Sequence, residues 1–281
     1  MDLPAQSVRG AASPLLPMEA LRLHWREYAF EALGLGLFMV SACLFDSLLE
    51  YPASPAHVAL PDPRVRRVLM GIAMGATAIA LIYSPWGKRS GAHINPAVTL
   101  TFFRLGRVPR WDAFFYVLAQ FAGGAAGVLL STWIARDVVT HPSVKYVVTV
   151  PGDAGWGAAA VGEFLISFCL MLVVLAVGGS RRWAPYTGLC AGLLVAGYIA
   201  LEAPYSGMSM NPARTAASAV VAHLWTAWWI YFAIPPAAMV LAAEVYARTA
   251  GRARVPCAKL HHSNKVRCIF CHFSPSSKAV S

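Results

Sequence analysis

Long apolar stretches, separated by short polar ones, run through most of the chain. Windows of apolar residues that reach about 20 residues, the length of helix that crosses roughly 30 Å of hydrocarbon, occur at six places. They cover roughly residues 28–48, 66–84, 113–134, 157–178, 184–202 and 224–246. This pattern predicts an all-α membrane protein with six transmembrane helices.

Two of the polar interruptions between these windows contain the same tripeptide. One lies in "SGAHINPAVTL" at 90–100 and the other in "SGMSMNPART" at 206–215. The repeated residues are Asn95, Pro96 and Ala97 in the first copy and Asn211, Pro212 and Ala213 in the second. A helical pattern of only roughly eight to ten residues follows each copy, which is too short to cross the membrane.

The order of the spans around the two motifs predicts an inverted repeat. Glu31 opens the first span and Glu163 the fourth, and in each half a second span and then one motif follow. Because an odd number of spans separates the two motifs, the second half must lie upside down relative to the first. Many transport proteins have this architecture and place their sites near the bilayer midplane.

The chemistry of Asn-Pro-Ala predicts that each motif begins a half-helix. Asn is among the best N-cap residues, and Pro is favoured at the first helical position. We expect the two half-helices to enter from opposite faces and to meet end to end along a hydrated path. Each Asn oxygen then caps its own helix while the NH₂ group points into the path as a donor. Two positive helix ends at this junction oppose cations and protons, so the arrangement favours neutral polar molecules.

The composition and the distribution of charge also indicate a membrane protein. Of the 281 residues, 58% are hydrophobic and 13% are charged, and residues 1–27 contain no apolar core of a cleavable signal peptide. The net charge of +10 does not predict a nucleic-acid partner, because most Lys and Arg residues lie on the side of the membrane that carries both termini. The opposite side has Arg64, Arg66, Arg67, Arg136 and Lys145. The positive-inside rule therefore predicts cytoplasmic termini, in a plasma membrane or bacterial inner membrane.

The two motifs, together with Glu31, Glu163 and the stretch "YVLAQFAGG" that contains Gln120, resemble the aquaporin, or major intrinsic protein, family. The resemblance covers nearly all of residues 25–248. It implies six tilted helices and two re-entrant half-helices, assembled in the lipid bilayer as a homotetramer with one pore in each subunit. It also implies a passive channel for water and small uncharged solutes such as glycerol, which excludes ions and protons and needs no cofactor.

The chain accordingly divides into three parts. Residues 1–26 form an N-terminal segment, 27–248 the aquaporin-like channel domain, and 249–281 a basic tail. Within the channel domain the two repeats cover about 27–135 and 156–248. The sequence contains no grouping of catalytic residues, and we therefore do not expect an enzyme.

The pore-lining residues follow from the resemblance by position. They are Asn95, Asn211, Arg214, Met208, Ile199 and either Met74 or Gly75. Arg214 matches the arginine of the family's outer constriction, and an arginine at a helix start within a membrane needs a functional reason. The other constriction residues are less polar than the Phe and His of strict water channels, yet Thr215 stands where the glycerol-conducting branch has Asp. The solute therefore stays open.

Three polar residues are expected to support the motif loops. We predict that Glu31 and Glu163 are buried acceptors for loop N–H groups, because a carboxylate in hydrocarbon is costly without donors. The resemblance adds Gln120 of the third span to these supports. His93, beside the first motif, is expected to be a packed loop residue without chemistry.

The C-terminal tail, "VPCAKLHHSNKVRCIFCHFSPSSKAVS", concentrates Cys and His residues. Its Cys-Ile-Phe-Cys-His run matches a haem-attachment pattern, which a cytoplasmic location argues against. A tetrahedral zinc site is a second interpretation, with Cys257, His261 or His262, Cys268 and Cys271 as ligands. The sequence favours a third interpretation, a disordered basic tail with reduced thiols. The tail also keeps a second function open, that of a membrane-anchored metal-binding or redox protein.

Overall fold

The computed structural model describes residues 15–262 and 266–273, and these form a bundle of helices. Six helical segments of the described chain are long and apolar enough to cross a membrane, and two half-helices lie between them. In chain order the helices are α1 (Pro17–Glu50), α2 (Pro63–Tyr83), α3 (Pro96–Arg104), α4 (Arg110–Ile134), α5 (Gly155–Gly178), α6 (Thr187–Leu201), α7 (Pro212–Ala222) and α8 (Trp228–Tyr246). The predicted fold of six spans with the half-helices α3 and α7 is confirmed.

Short helical turns connect these elements. They are Pro55–Ala59, Pro85–Ser90, Arg136–Val139, Lys145–Val147, Ala184–Tyr186, Ala203–Ser206, Ala247–Gly251 and Arg252–Arg254. The turn Ala184–Tyr186 runs directly into α6, and the two together form the fifth span. Most of the turns lie between the spans, and each span is a continuous helical segment.

The first helix begins well before its predicted span. It starts at Pro17, where the Glu19 carboxylate accepts a hydrogen bond from the backbone just before the helix, and it has 34 residues. The apolar window missed the first turns because they carry charged residues. Polar contacts hold these turns against α4: His24 Nδ1 and the Tyr28 hydroxyl lie 2.7 and 2.6 Å from Asp112 Oδ1.

The packing of the helices follows the inverted repeat. In the first half α1 packs against α4, and in the second half α5 packs against α8. The second spans of the two halves, α2 and α6, pack against each other. Each half-helix lies against the last span of the other half, with α7 on α4 and α3 on α8. The two halves therefore complete one bundle.

Glycines allow the backbones to touch at the main helix crossings. A Cβ atom at Gly123 of α4 would collide with the backbone of Ala32 in α1, and one at Gly75 of α2 would lie 2.6 Å from the carbonyl oxygen of Gly192 in α6. Membrane bundles use small residues in this way because close van der Waals contact, and not the hydrophobic effect, holds helices together in lipid. These crossings fix the walls of the cavity described below.

The described part of the C-terminal tail is folded against the bundle. The Leu260 N–H donates to the carbonyl oxygen of Gly91 at 3.1 Å, and the His93 ring contacts the carbonyl oxygen of Ala258 at 2.7 Å. The interpretation of the tail as a disordered segment is therefore wrong for residues 249–262 and 266–273. These contacts join positions far apart in the sequence, which the local composition does not report. Residues 274–281 and 1–14 lie outside the described part of the chain.

Candidate functional site

The two Asn-Pro-Ala motifs meet inside the bundle, each at the start of its half-helix. The Asn95 side-chain oxygen accepts a hydrogen bond from the Ala97 N–H at 2.8 Å, and the Asn211 oxygen accepts one from the Ala213 N–H at 3.1 Å. A Pro occupies the first helical position in both α3 and α7. Its missing N–H would have no partner there in any case. Both half-helices are thus capped as their sequences dictate.

The side-chain amides of the two Asn residues cross-link the motif loops, residues 90–94 and 206–210. Asn95 Nδ2 donates to the carbonyl oxygen of Met210, and Asn211 Nδ2 donates to that of Ile94, both at 2.8 Å. The prediction that the whole NH₂ group points into the path is corrected here, because the opposite loop binds one of its N–H groups. A side-chain amide has two N–H donors. One donor of each Asn is left for a solute.

The first motif loop is held by a carboxylate buried in α1. Glu31 accepts hydrogen bonds from the backbone N–H groups of His93 and Ile94, at 3.0 and 2.6 Å. Gln120 of α4 donates to the same carboxylate at 2.8 Å and also contacts the Thr99 hydroxyl at 3.1 Å. The structure thus places Glu31 and Gln120 beneath the loop as structural supports.

The second motif loop has the equivalent support from α5. Glu163 accepts hydrogen bonds from the backbone N–H groups of Ser209 and Met210, at 2.6 and 2.8 Å, and from the Ser206 hydroxyl at 3.0 Å. The Glu163 side chain is completely buried. A buried carboxylate is tolerated because these donors replace its hydration. The matching geometry in both halves reflects the inverted repeat.

Replacing Glu163 with Ala is expected to destabilise the protein by roughly 2–6 kcal/mol, because it leaves two buried N–H groups without an acceptor at about 1–3 kcal/mol each. Thermal unfolding in detergent, followed by circular dichroism, measures the effect. Asp153→Ala removes an exposed carboxylate and serves as the matched control. An unfolding temperature of Glu163→Ala equal to that of the control contradicts the supporting role.

A continuous cavity of about 550 Å³, called here the central cavity, runs past both Asn side chains. It reaches from Leu260 of the tail, at one end of the bundle, to Asp46 and Arg67 near the other end. Most of its walls are apolar side chains, such as Leu35, Val174 and Val195 of the spans and Val98 of the half-helix α3. Asn95, Asn211 and Arg214 contribute polar groups to it. The cavity therefore offers a few fixed hydrogen bonds within an apolar tube.

The residues expected at the constriction lie on this cavity, with one exception. Met74, Ile199, Met208 and Arg214 line it. Gly75 does not, and this corrects the alternative in which Gly75 takes the place of Met74. Successive helix positions point about 100° apart, so only one of the two neighbours can face the cavity. Gly75 faces α6 instead, at the crossing with Gly192.

Arg214, in the first turn of α7, carries a positive charge and lies on the central cavity together with the carboxylates of Asp46 and Glu50. Its Nη1 atom is buried and has no hydrogen-bond partner among the described residues. No carboxylate in the described part of the chain lies within ion-pair distance of it. The residue itself lines the central cavity. The guanidinium can therefore bond a passing neutral solute and repel a passing cation.

Sequence reasoning missed Asp46 and Glu50, two carboxylates on the last turns of α1 that line the outer part of the central cavity. Asp46 lies within the first predicted span, in "CLFDSLLE". An ionisable residue inside an apolar span is rare and faces a polar or water-filled space by default. This signal was present in the sequence and would have placed Asp46 on the cavity.

The tail brings a separate group of side chains together, called here the tail cluster. The ligand atoms of Cys257, His262, Cys268 and Cys271 all lie within 4.8 Å of one another. Of the two histidines that the sequence left open for this set, the structure places His262 in the cluster, and His261 as a ligand is corrected. The His261 ring contacts Tyr83 instead, with ring centroids 4.8 Å apart. Neighbouring side chains of a non-helical segment point in different directions, so only one of the two histidines can join the cluster.

The tail cluster alters the titration of its own members. Hydrogen bonds with Cys268 and Cys271 raise the pKa of His262 to about 9. Hydrogen bonds from Cys257 and Cys271 hold the pKa of the Cys268 thiol below its usual value. Burial lowers the pKa of the neighbouring Lys259 ammonium. A thiolate is therefore favoured at Cys268.

Comparison with known proteins agrees with this geometry. The sequence profile of the family described as Major intrinsic protein matches residues 19–246. Aquaporin NIP2-2 from Zea mays is 37% identical over 184 residues, which cover 65% of this chain and 60% of that protein. The probable aquaporin AqpM of Archaeoglobus fulgidus is 37% identical over 184 residues, covering 63% of this chain and 74% of that protein.

The chain thus spans 60% of the length of the maize relative that it matches. Among solved structures, an aquaglyceroporin from Plasmodium falciparum superposes with a TM-score of 0.66 at 16% identity. The superposition covers 82% of this chain and 98% of that one. The two chains share a fold.

Proposed function

The chain belongs to the major intrinsic protein family, and on that premise we propose that it is a passive channel for water and small uncharged solutes such as glycerol. It is an integral, multi-pass membrane protein. The observation that carries the proposal is the pair of cross-bonded Asn side chains, Asn95 and Asn211, on a continuous cavity through the bundle. Members of the family are channels, and the proposal involves no cofactor and no chemical change of the solute.

The geometry of the motifs favours neutral solutes over ions. The positive ends of α3 and α7 both face the junction, and Arg214 adds a full charge near the start of α7. A cation that loses its hydration shell there meets three positive groups and no carboxylate bound to Arg214. Water and alcohols accept hydrogen bonds from the Asn donors without carrying charge. The barrier therefore excludes charged solutes and admits neutral polar ones.

The constriction residues favour solutes larger than water. Met74, Ile199 and Met208 contribute apolar side chains to the cavity that Arg214 also lines. An apolar wall with one strong donor suits the carbon backbone and hydroxyl groups of a small polyol. We therefore expect proteoliposomes of the metal-free protein to take up glycerol as well as to release water in stopped-flow light scattering. Water efflux with glycerol uptake equal to that of empty vesicles would restrict the channel to water.

We place both termini in the cytoplasm, supported by the distribution of Lys and Arg along the chain. Cys271, an exposed residue of the tail, reports this orientation. In right-side-out vesicles that contain the metal-free protein, a membrane-impermeant maleimide should label Cys271 only after the membrane is opened. Cys271→Ser identifies the signal, because it removes this thiol alone. Labelling of intact vesicles would reverse the orientation.

We further propose a homotetramer in a plasma membrane or bacterial inner membrane, with one pore in each subunit. Large apolar side chains such as Trp133, Val161 and Leu193 are exposed on the outside of the bundle. Lipid or neighbouring subunits must cover such a surface. Native mass spectrometry of the protein in detergent distinguishes a tetramer from a monomer.

The second function considered from the sequence, a membrane-anchored metal-binding or redox protein, is not favoured. The match to the family ends at residue 246, before the tail, and includes both motifs. The cavity and the capped half-helices have no role in a protein that acts only through its tail. The tail cluster is better explained as an attachment to the channel.

A further inference from the structure

The tail cluster has the donor types and the spacing of a metal site. Cys257 Sγ lies 3.4 Å from Cys268 Sγ, and His262 Nε2 lies 3.1 Å from Cys271 Sγ. In a tetrahedral zinc site with Zn–S bonds of about 2.3 Å, the sulfur atoms lie roughly 3.8 Å apart. Small movements therefore bring all four ligand atoms around one ion. Three cysteines and one histidine form a common structural zinc set.

A buried positive charge beside the cluster supports a metal complex of negative charge. The Lys259 side chain is 7% exposed, and its Nζ atom donates to the carbonyl oxygens of Lys88 and Arg267 at 2.7 and 2.9 Å. No carboxylate of the described residues forms an ion pair with it. A buried ammonium normally requires a nearby negative charge. Zinc bound by three thiolates and a neutral imidazole has a net charge of −1 and supplies it.

Residues 258–260, which follow the first ligand Cys257, cross the first motif loop (residues 90–94) at the tail end of the bundle. Ala258 and Leu260 make backbone hydrogen bonds with His93 and Gly91 of that loop. The Phe270 ring stacks on His93, with ring centroids 5.7 Å apart and an interplanar angle of 5°. The loop meets this segment closely, because a Cβ at Gly91 would lie 3.2 Å from the Lys259 side chain. The cluster thus ties together a segment that lies on the pore.

Leu260 of this segment lies at the end of the central cavity. Its side chain lines that cavity and also a second cavity of about 170 Å³, called here the tail cavity. The tail cavity has Cys257 and His262 in its wall. Leu260 is therefore the partition between the pore and the space beneath the tail. An apolar side chain at a narrow point is a barrier that water crosses poorly.

We propose that Cys257, His262, Cys268 and Cys271 bind one zinc ion, and that the ion fastens the tail across the pore so that Leu260 closes its cytoplasmic end. The metal half of this proposal stands alone, whereas the closing of the pore rests on the proposed channel function. Loss of the ion releases the segment 258–260, which then leaves the mouth.

The metal half is tested on the full-length protein by elemental analysis. Protein purified with zinc should contain about one zinc per chain, falling to roughly a tenth or less in Cys268→Ser and in His262→Ala. Two matched controls keep their zinc: His261→Ala, which changes the neighbouring histidine, and Cys169→Ser, which changes an exposed cysteine of α5. Cobalt(II) added to the metal-free wild type should give the absorption of a tetrahedral thiolate complex. Absence of zinc from the wild type overturns the site, as does a Cys257–Cys268 disulfide found by thiol titration.

The pore half is tested by stopped-flow water efflux from proteoliposomes. Removing zinc from the wild type with EDTA should raise water permeability roughly tenfold, and Leu260→Ala should show the raised value with zinc bound. His261→Ala should respond to EDTA as the wild type does. Equal permeability with and without bound zinc overturns the closing role.

A third outcome separates this inference from the proposed function. If zinc binds stoichiometrically while the metal-free wild type and Leu260→Ala are both as impermeable as empty vesicles, the channel function fails and the pore half fails with it. The metal half is then supported by itself.

Discussion

Replacing Asn95 or Asn211 with Leu is expected to lower water permeability at least about tenfold, toward that of bare lipid. Leu has the same number and branching of side-chain heavy atoms as Asn but is bulkier and donates no hydrogen bond. It removes the cap of its half-helix, the 2.8 Å bond to the opposite motif loop and the donor that faces the cavity. An apolar side chain then stands at the junction, in the place of an Asn amide that could bond water.

The measurement is stopped-flow light scattering on metal-free proteoliposomes with equal amounts of folded protein. Loss of the cap alone costs roughly 0.5–2 kcal/mol of stability, so folding is checked by size-exclusion chromatography. Thr77→Val is the matched control: it removes the Ser41–Thr77 hydrogen bond between α1 and α2, which is remote from the motifs. Water flux of Asn95→Leu or Asn211→Leu equal to that of Thr77→Val contradicts the role of the Asn pair.

Replacing Arg214 with Ala is expected to preserve water flux and to weaken selectivity. Water flux survives, because the Asn pair and the cavity remain. Proton or cation leak and the uptake of larger neutral solutes increase by at least about tenfold, since the change removes a fixed charge and widens the cavity. Arg214 has no ion-pair partner among the described residues, so its removal leaves no carboxylate there without a counter-ion.

A pH-sensitive dye inside the vesicles measures the proton leak, and light scattering measures solute uptake. Arg214→Lys keeps the charge and should therefore keep the ion barrier. Arg136→Ala removes an exposed arginine of the same predicted side and should resemble the wild type. If Arg214→Ala abolishes water flux while the protein stays folded, the selectivity role assigned to this residue is wrong.

The sequence predicted the parts of this fold that depend on local chemistry. Apolar length predicted the spans, and the capping preference of Asn with Pro at the next position predicted α3 and α7. Glu31 and Glu163 could be predicted as loop supports because a carboxylate in an apolar span needs donors. Each of these rules applies to a single segment and to the lipid or water around it.

The errors concern contacts between segments that are distant in sequence. Whether Met74 or Gly75 faces the cavity depends on the rotation of α2 against α6. The side-chain N–H of each Asn binds a backbone carbonyl in the other half of the repeat, and this contact forms only when the two halves pack together. The tail is ordered because Leu260 binds the backbone of Gly91. His262, and not His261, joins the tail cluster because the His261 ring packs against Tyr83. No local pattern reports such pairings.

The most direct test of the channel is water efflux from proteoliposomes of the metal-free wild type and of Leu260→Ala, with empty vesicles as the reference. Both preparations have an open mouth under the proposed closing mechanism. We expect water permeability at least about tenfold above bare lipid, a weak temperature dependence and an intact proton gradient. Folded protein in both preparations with permeability equal to that of empty vesicles would contradict the channel.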